Sequence, residues 1–182
     1  MSDQHVVDIT ELSTLAEQFP VRLMQLGFRL MQAIDEQGHD AYQYVIPPVC
    51  EVPAGPFLMG SDKNKDAQAQ DNELPQHVVT LAAYRIGTYP LTVAEYACFV
   101  HATQRSEPQR RPRVGNNLTW QTQLSERWDH PVVNVSWQDV LAYVRWLAQV
   151  TGETLRLPTE SEWEKAARGA DGRIYPYRPF RR

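Results

Sequence analysis

Cysteine is scarce: the 182 residues hold two, Cys50 and Cys98. They have no CxxC spacing and no histidine beside them, which excludes a disulfide framework and a cysteine–histidine zinc site. Free buried thiols in a reducing compartment are the reading that remains. The five histidines, His5, His39, His77, His101 and His130, are scattered, with no HxxxH pair to face a metal from one helix. Phosphate loops, GxGxxG turns and GxSxG elbows are also missing. There is no excess of positive charge: 18 Lys and Arg against 22 Asp and Glu leave a net charge of −4. That balance argues against a general nucleic-acid binder. The basic clusters Arg110-Arg111-Pro112-Arg113 and Arg178 to Arg182 read as solvated loop and tail charge. No apolar run reaches membrane-spanning length. The opening Met1-Ser2-Asp3-Gln4-His5 is polar and unlike a secretory signal, so a cytoplasmic protein is expected.

What is there suits a globular chain, with 42% hydrophobic and 22% charged residues. Leu23, Leu26, Leu30 and Ile34 recur at helical spacing and predict a helix that Gly38 caps. A shorter helix is expected over 11–18, ahead of Pro20. The apolar stripe should dock on the rest of the chain, or on a protein partner. Residues 40–48, ending in Pro47-Pro48, read as a linker, so 1–48 form a helical extension and 49–182 the main domain. Beyond it, 49–52, 57–60 and 78–86 read as strands and 63–72 as a loop. Three helices then open with capping boxes: Thr92 with Glu95, Ser136 with Asp139, and Thr159 with Glu162. Their expected apolar faces carry Tyr96, Phe99 and Val100; Trp137, Val140, Leu141, Val144 and Leu147; and Trp163, Ala166 and Ala167, with Cys98 off the first face. The long connection 103–129 contains Trp120 and Trp128, and such length suits a binding loop.

Five blocks make the sequence specific. They are Val52-Pro53-Ala54-Gly55-Pro56-Phe57-Leu58-Met59-Gly60-Ser61; Glu73-Leu74-Pro75-Gln76-His77-Val78-Val79; Ile86-Gly87-Thr88-Tyr89-Pro90-Leu91-Thr92; His130-Pro131-Val132-Val133-Asn134-Val135-Ser136-Trp137; and Leu155-Arg156-Leu157-Pro158-Thr159-Glu160-Ser161-Glu162-Trp163-Glu164-Lys165-Ala166-Ala167-Arg168-Gly169. In this order they resemble the formylglycine-generating (sulfatase-modifying factor) family, over about residues 51–177. The resemblance implies an α+β fold of the C-type-lectin-like kind. Periodicity by itself gives only mixed helix and strand.

Most of these residues read as scaffold. Trp137, Trp146 and Trp163 are expected in the core. Pro158 sharpens the turn into a helix that Thr159 and Glu162 cap. Arg156 should pair, partly buried, with Glu162 or Glu164.

The resemblance also implies a redox-active, copper-binding cysteine pair and calcium ligands, both in the C-terminal half of full-length relatives. The family's Pro-Trp-Gly is Pro176-Tyr177-Arg178 here, and Val144 replaces a family helix cysteine. No catalytic residue, copper or calcium is therefore assigned within this chain, which is expected to be inactive alone. Related sulfoxide synthases bind iron through histidines on another domain, which this sequence does not display. The alternative is a non-catalytic binding module whose contact loop carries Arg110, Arg113, Trp120 and Trp128, since Arg and Trp are common anchors.

Overall fold

The computed structural model describes residues 22–109 and 118–173. The expected helix over 11–18, Arg110, Arg113 and the Pro176-Tyr177-Arg178 stretch lie outside them. The chain divides into two compact units: Met1–Pro48 with Gly87–Arg156, and Val49–Ile86 with Leu157–Arg182.

The larger unit begins with a correction. The helix predicted through residue 38 ends at Gln25, well short of that, and Gly27 at φ 89° closes it. The Phe28 N–H donates to the Leu23 carbonyl (2.9 Å) and the Gly27 N–H to that of Met24 (3.0 Å), a Schellman closure. Strands β1 (Arg29–Ile34) and β2 (Asp40–Ile46) follow, paired antiparallel from Arg29 opposite Ile46 to Ile34 opposite Asp40. The supposed linker is thus a strand. Gly38, at φ 85°, serves the hairpin turn instead of a helix cap. Asp35 organises that turn: its Oδ1 accepts from the N–H groups of Gln37 (2.9 Å) and His39 (2.8 Å). Leu23 is fully buried while Ile34 is 67% exposed, so the helical stripe does not exist as one face.

Among the described residues three helices follow in this unit: α1 (Val93–Thr103), α2 (Trp120–Glu126) and α3 (Trp137–Thr151). Helix α1 contacts β2 and buries every residue from Val93 to Val100, Cys98 included, so it has no outer face at its N-terminal end. Tyr96 centres an aromatic cluster, with ring centroids 5.3 Å from Phe99, 6.0 Å from Trp120 and 6.3 Å from Tyr143. Trp146 joins it through Phe99 (5.4 Å) and Tyr42 of β2 (6.2 Å). Each such pair adds about 0.5–1.5 kcal/mol beyond its buried area. On α3 the buried residues are Tyr143, Trp146 and Leu147. Trp137 is 64% exposed, a second correction: it lies half a turn away from Trp146 around the helix.

The smaller unit pairs β3 (Val49–Val52) with β6 (Tyr84–Gly87), and β4 (Gly55–Met59) with β5 (His77–Leu81). The single strand expected over 78–86 is two strands, because Ala82 and Ala83 separate β5 from β6. Helix α4 (Glu160–Arg168) contacts β4 and buries a charged stripe, Glu162, Lys165 and Arg168. The Lys165 ammonium donates to the carbonyls of Pro53 (2.8 Å) and Gly55 (2.9 Å). Arg168 Nη1 donates to the Gly60 carbonyl and to Glu164 Oε1, both at 2.6 Å, and Glu164 Oε1 also accepts the Gly60 N–H (2.8 Å). The motif segment around residues 53–60 is therefore tied to α4 through its backbone. Gly60 itself, at φ 80°, has no room for a Cβ, which would stand 2.7 Å from the Glu73 carbonyl oxygen. Among the described residues no helix is long and apolar enough to cross a membrane.

Candidate functional site

The larger unit holds a polar cavity of about 550 Å³. It forms where α1 ends: Gln104 caps the helix in the left-handed region (φ 52°), and 105–109 continue as irregular chain. Those residues line one wall, and Asn134 and Asp139 line another. Asn134 also has positive φ (65°), and its amide donates to the Leu118 carbonyl at 3.0 Å. A non-glycine residue in this region carries strain that the surroundings must hold in place.

Asp139 is the fixed charge of the cavity. Its Oδ2 accepts from the Ser136 N–H (2.9 Å) and hydroxyl (2.5 Å), which makes it the carboxylate of the α3 capping box. Its Oδ1 accepts from Arg105 Nε (3.2 Å) and Nη2 (2.8 Å). Burial works against this charge, but the Ser136 hydroxyl and Arg105 outweigh it and lower the carboxyl to about 2. Glu107 differs. Its Oε2 accepts from Gln121 at 3.3 Å, while its Oε1 is enclosed without a hydrogen-bond partner.

Below the cavity α1 buries a second titratable group. Glu95 is 2% exposed and completes the α1 capping box, its Oε2 accepting from the Thr92 N–H (2.7 Å) and hydroxyl (2.6 Å). Burial nevertheless raises it to about 7. The Tyr143 hydroxyl faces it, enclosed and without a hydrogen bond of ordinary geometry; burial first, and then the Glu95 charge, raise that phenol well above 10. Burial likewise pushes the Cys98 thiol up to about 12. A thiol in that state is neither nucleophile nor metal ligand. Cys50 lies exposed on β3. The residues present therefore do not fit a copper–dithiolate centre.

The residues singled out from the sequence fall in several places. Thr159 and Glu162 cap α4 as expected: Glu162 Oε2 accepts from the Thr159 N–H at 2.8 Å, and its own N–H donates to Thr159 Oγ1 at 3.2 Å. Pro158 precedes the cap on an exposed extended segment, and Arg156 is exposed there too instead of partly buried. Glu164, one of the partners expected for Arg156, is engaged by Arg168. Trp163 is 63% exposed, which corrects its assignment to the core. Trp120 is a core residue at 3% exposure, and Trp128 packs against that core, so neither stands on an open contact loop. The loop itself folds in part, as α2, whose start Thr119 caps by accepting from the Thr122 N–H. Arg105, Glu107 and Asn134 were missed. Only Asp139 had a sequence signal, its place in the capping box.

Comparison with known proteins agrees with this arrangement of elements. The Sulfatase-modifying factor enzyme 1-like domain profile matches residues 37–179. Formylglycine-generating enzyme of Thermomonospora curvata is 30% identical over 169 residues, covering 74% of this chain and 54% of that protein. The mouse (Mus musculus) protein named inactive C-alpha-formylglycine-generating enzyme 2 is 30% identical, covering 72% of this chain and 51% of its own. The solved structure of PvdO from Pseudomonas aeruginosa superposes with a TM-score of 0.61 at 28% identity, over 75% of this chain and 52% of that one. The chain thus spans about half the length of the curated relatives it matches. The β4 motif tied to α4, the three capping boxes and this match agree: the chain belongs to the Sulfatase-modifying factor enzyme 1-like domain family.

Proposed function

We propose that these 182 residues supply the scaffold and ligand-binding part of a formylglycine-generating-type domain, and that by themselves they do not oxidise a thiol. The observation that carries this reading is the state of Cys98, sealed in α1 with its thiol pushed up to about 12, which leaves Cys50 as the one accessible cysteine. Copper and calcium, if the complete domain uses them, would be held by residues outside this chain. The cytoplasm is the proposed compartment, on the strength of two free thiols. Mass spectrometry of a Cys-x-Pro-x-Arg peptide incubated with the chain, Cu(I) and oxygen tests the proposal. The peptide thiol should stay unchanged, and conversion to the aldehyde would overturn the reading.

A second reading, a non-catalytic binding module, is favoured by the charged and polar side chains Arg105, Glu107, Asn134 and Asp139 that line the cavity. A ligand presenting N–H donors, such as an arginine side chain in a peptide, would suit the carboxylates of that lining. The same Cys-x-Pro-x-Arg peptide, titrated by NMR, should then shift the amides of 104–109, and Glu107→Gln should weaken the shift. Amide shifts elsewhere, or none, would sink this reading. The mouse relative is itself named an inactive enzyme.

A further inference from the structure

The cavity at the end of α1 already holds a cation, and that cation belongs to the chain itself. Both oxygens of the Asp139 carboxylate are in use. Oδ2 accepts from the N–H and the hydroxyl of Ser136, contacts local to the α3 capping box. Oδ1 accepts from Nε and Nη2 of Arg105, which lies 34 residues away in sequence. A carboxylate offers about four lone-pair positions, so these donors fill it. A cation entering the cavity finds no acceptor open on Asp139 while Arg105 stays.

The two sides of this carboxylate are held differently. The Ser136 side is set by the start of α3 and moves only with the helix. The Arg105 side depends on one long side chain, reaching across from the irregular segment that follows Gln104. The Arg105 side chain is 37% exposed and that of Asp139 27%, so water reaches the pair. An ion pair that open contributes little net stability and can be exchanged for another of the same chemistry. Its geometry favours exchange too: both Arg105 donors converge on one oxygen, instead of spanning two in the strong parallel fork. What keeps Arg105 in place is its tether, which gives it a local concentration that a free ligand must match. The cavity, at about 550 Å³, has room for a small cation beside it.

We propose that Arg105 is an intramolecular competitor in this cavity: it occupies the seat on Asp139 that the guanidinium of a ligand takes once Arg105 swings away. The site is thus self-blocked, and its affinity for guanidinium-bearing ligands is set by the release of Arg105. This rests on the reading of the cavity as a ligand-binding site and adds the device that regulates it.

The experiment titrates the folded 182-residue chain with methylguanidinium at pH 6 and follows the backbone amides of Ser136 and Asp139 by NMR. At that pH the Asp139 carboxyl, lowered to about 2, is fully charged. Arg105→Ala should bind the probe saturably, with a Kd several-fold lower than that of the wild type. Arg105→Lys, which keeps a tethered cation, should restore part of the block. Adding Asp139→Asn to Arg105→Ala should remove the binding. A wild-type measurement makes the test independent of how the variants fold: the Arg105 Nε–H resonance should move as methylguanidinium is raised, and should not move with sodium chloride at equal concentration. Equal affinity in the wild type and Arg105→Ala would overturn the proposal, as would binding that survives Asp139→Asn or an Nε–H resonance that the probe leaves in place. A Cys-x-Pro-x-Arg peptide that leaves the amides of 104–109 unshifted refutes the second reading, whereas methylguanidinium judges the seat on Asp139, so the two can fail separately.

Discussion

Glu95 should make the stability of this protein fall as pH rises toward neutrality. Its carboxyl is buried under α1 and raised from 4.5 to about 7. An acid raised on folding favours the folded state when it is protonated. The stabilisation is complete below pH 4.5 and is lost as pH rises through 7. A shift of about 2.5 units at 1.36 kcal/mol each gives about 3 kcal/mol. For a chain of 182 residues that is roughly 6–12 °C in Tm. Gln is the informative replacement, because its amide oxygen can still accept from Thr92 N–H and keep the capping box. Urea denaturation at pH 5, 6, 7 and 8 would be compared for the wild type and Glu95→Gln. The wild type should lose about 2.5 kcal/mol relative to the variant across that range, the rest being lost below pH 5. Asp139 does not interfere: it is lowered from 3.8 to about 2, so its contribution is present above pH 3.8 and lost only below it. A pH-independent difference, or one of opposite sign, would refute the reasoning that burial outweighs the two hydrogen bonds from Thr92.

Three further outcomes follow from particular contacts. Gly60→Ala forces a Cβ to within 2.7 Å of the Glu73 carbonyl at φ 80°, and should cost about 2 kcal/mol or more by chemical denaturation. A cost within a few tenths of a kcal/mol would mean that this turn yields easily. Trp120→Ala should cost about 3–5 kcal/mol, as for other core aromatics, and unchanged stability would return Trp120 to the role of a surface contact. In the native protein iodoacetamide should label Cys50 and spare Cys98, with Cys98 reacting only in denaturant; rapid native labelling of Cys98 would contradict its place in α1.

The helix starts were legible because capping is a local matter. Thr92, Ser136 and Thr159 each accept from the N–H three residues on, and the matching carboxylate reaches back, whatever the rest of the chain does. The N-terminal hairpin was misread because Leu23, Leu26, Leu30 and Ile34 fit a helix by spacing. The deciding residue was Gly27, whose positive φ closes the helix and leaves Leu30 and Ile34 to the strand β1. The two tryptophans assigned to the core failed for another reason. Hydrophobicity says that Trp137 and Trp163 want cover; it does not say which side of α3 or α4 faces the core.

The candidate cavity shows the same limit at the level of single atoms. Asp139 was visible as a cap, yet its second role, holding Arg105 across the end of α1, depends on a contact 34 residues apart in sequence. Glu107 carries no motif, and its place beside Asn134 and Asp139 in the lining is seen only in the fold. The buried charges of α4 sharpen the point. Read along the chain, Glu162, Lys165 and Arg168 form the polar side of an ordinary surface helix. In the fold, Lys165 and Arg168 replace a hydrophobic contact by charge-assisted hydrogen bonds to the carbonyls of Pro53, Gly55 and Gly60. That choice fixes the β4 motif to the helix and at the same time leaves Trp163 facing outward, so one feature of the sequence accounts for both the strength of the inner face and the exposure of the outer one.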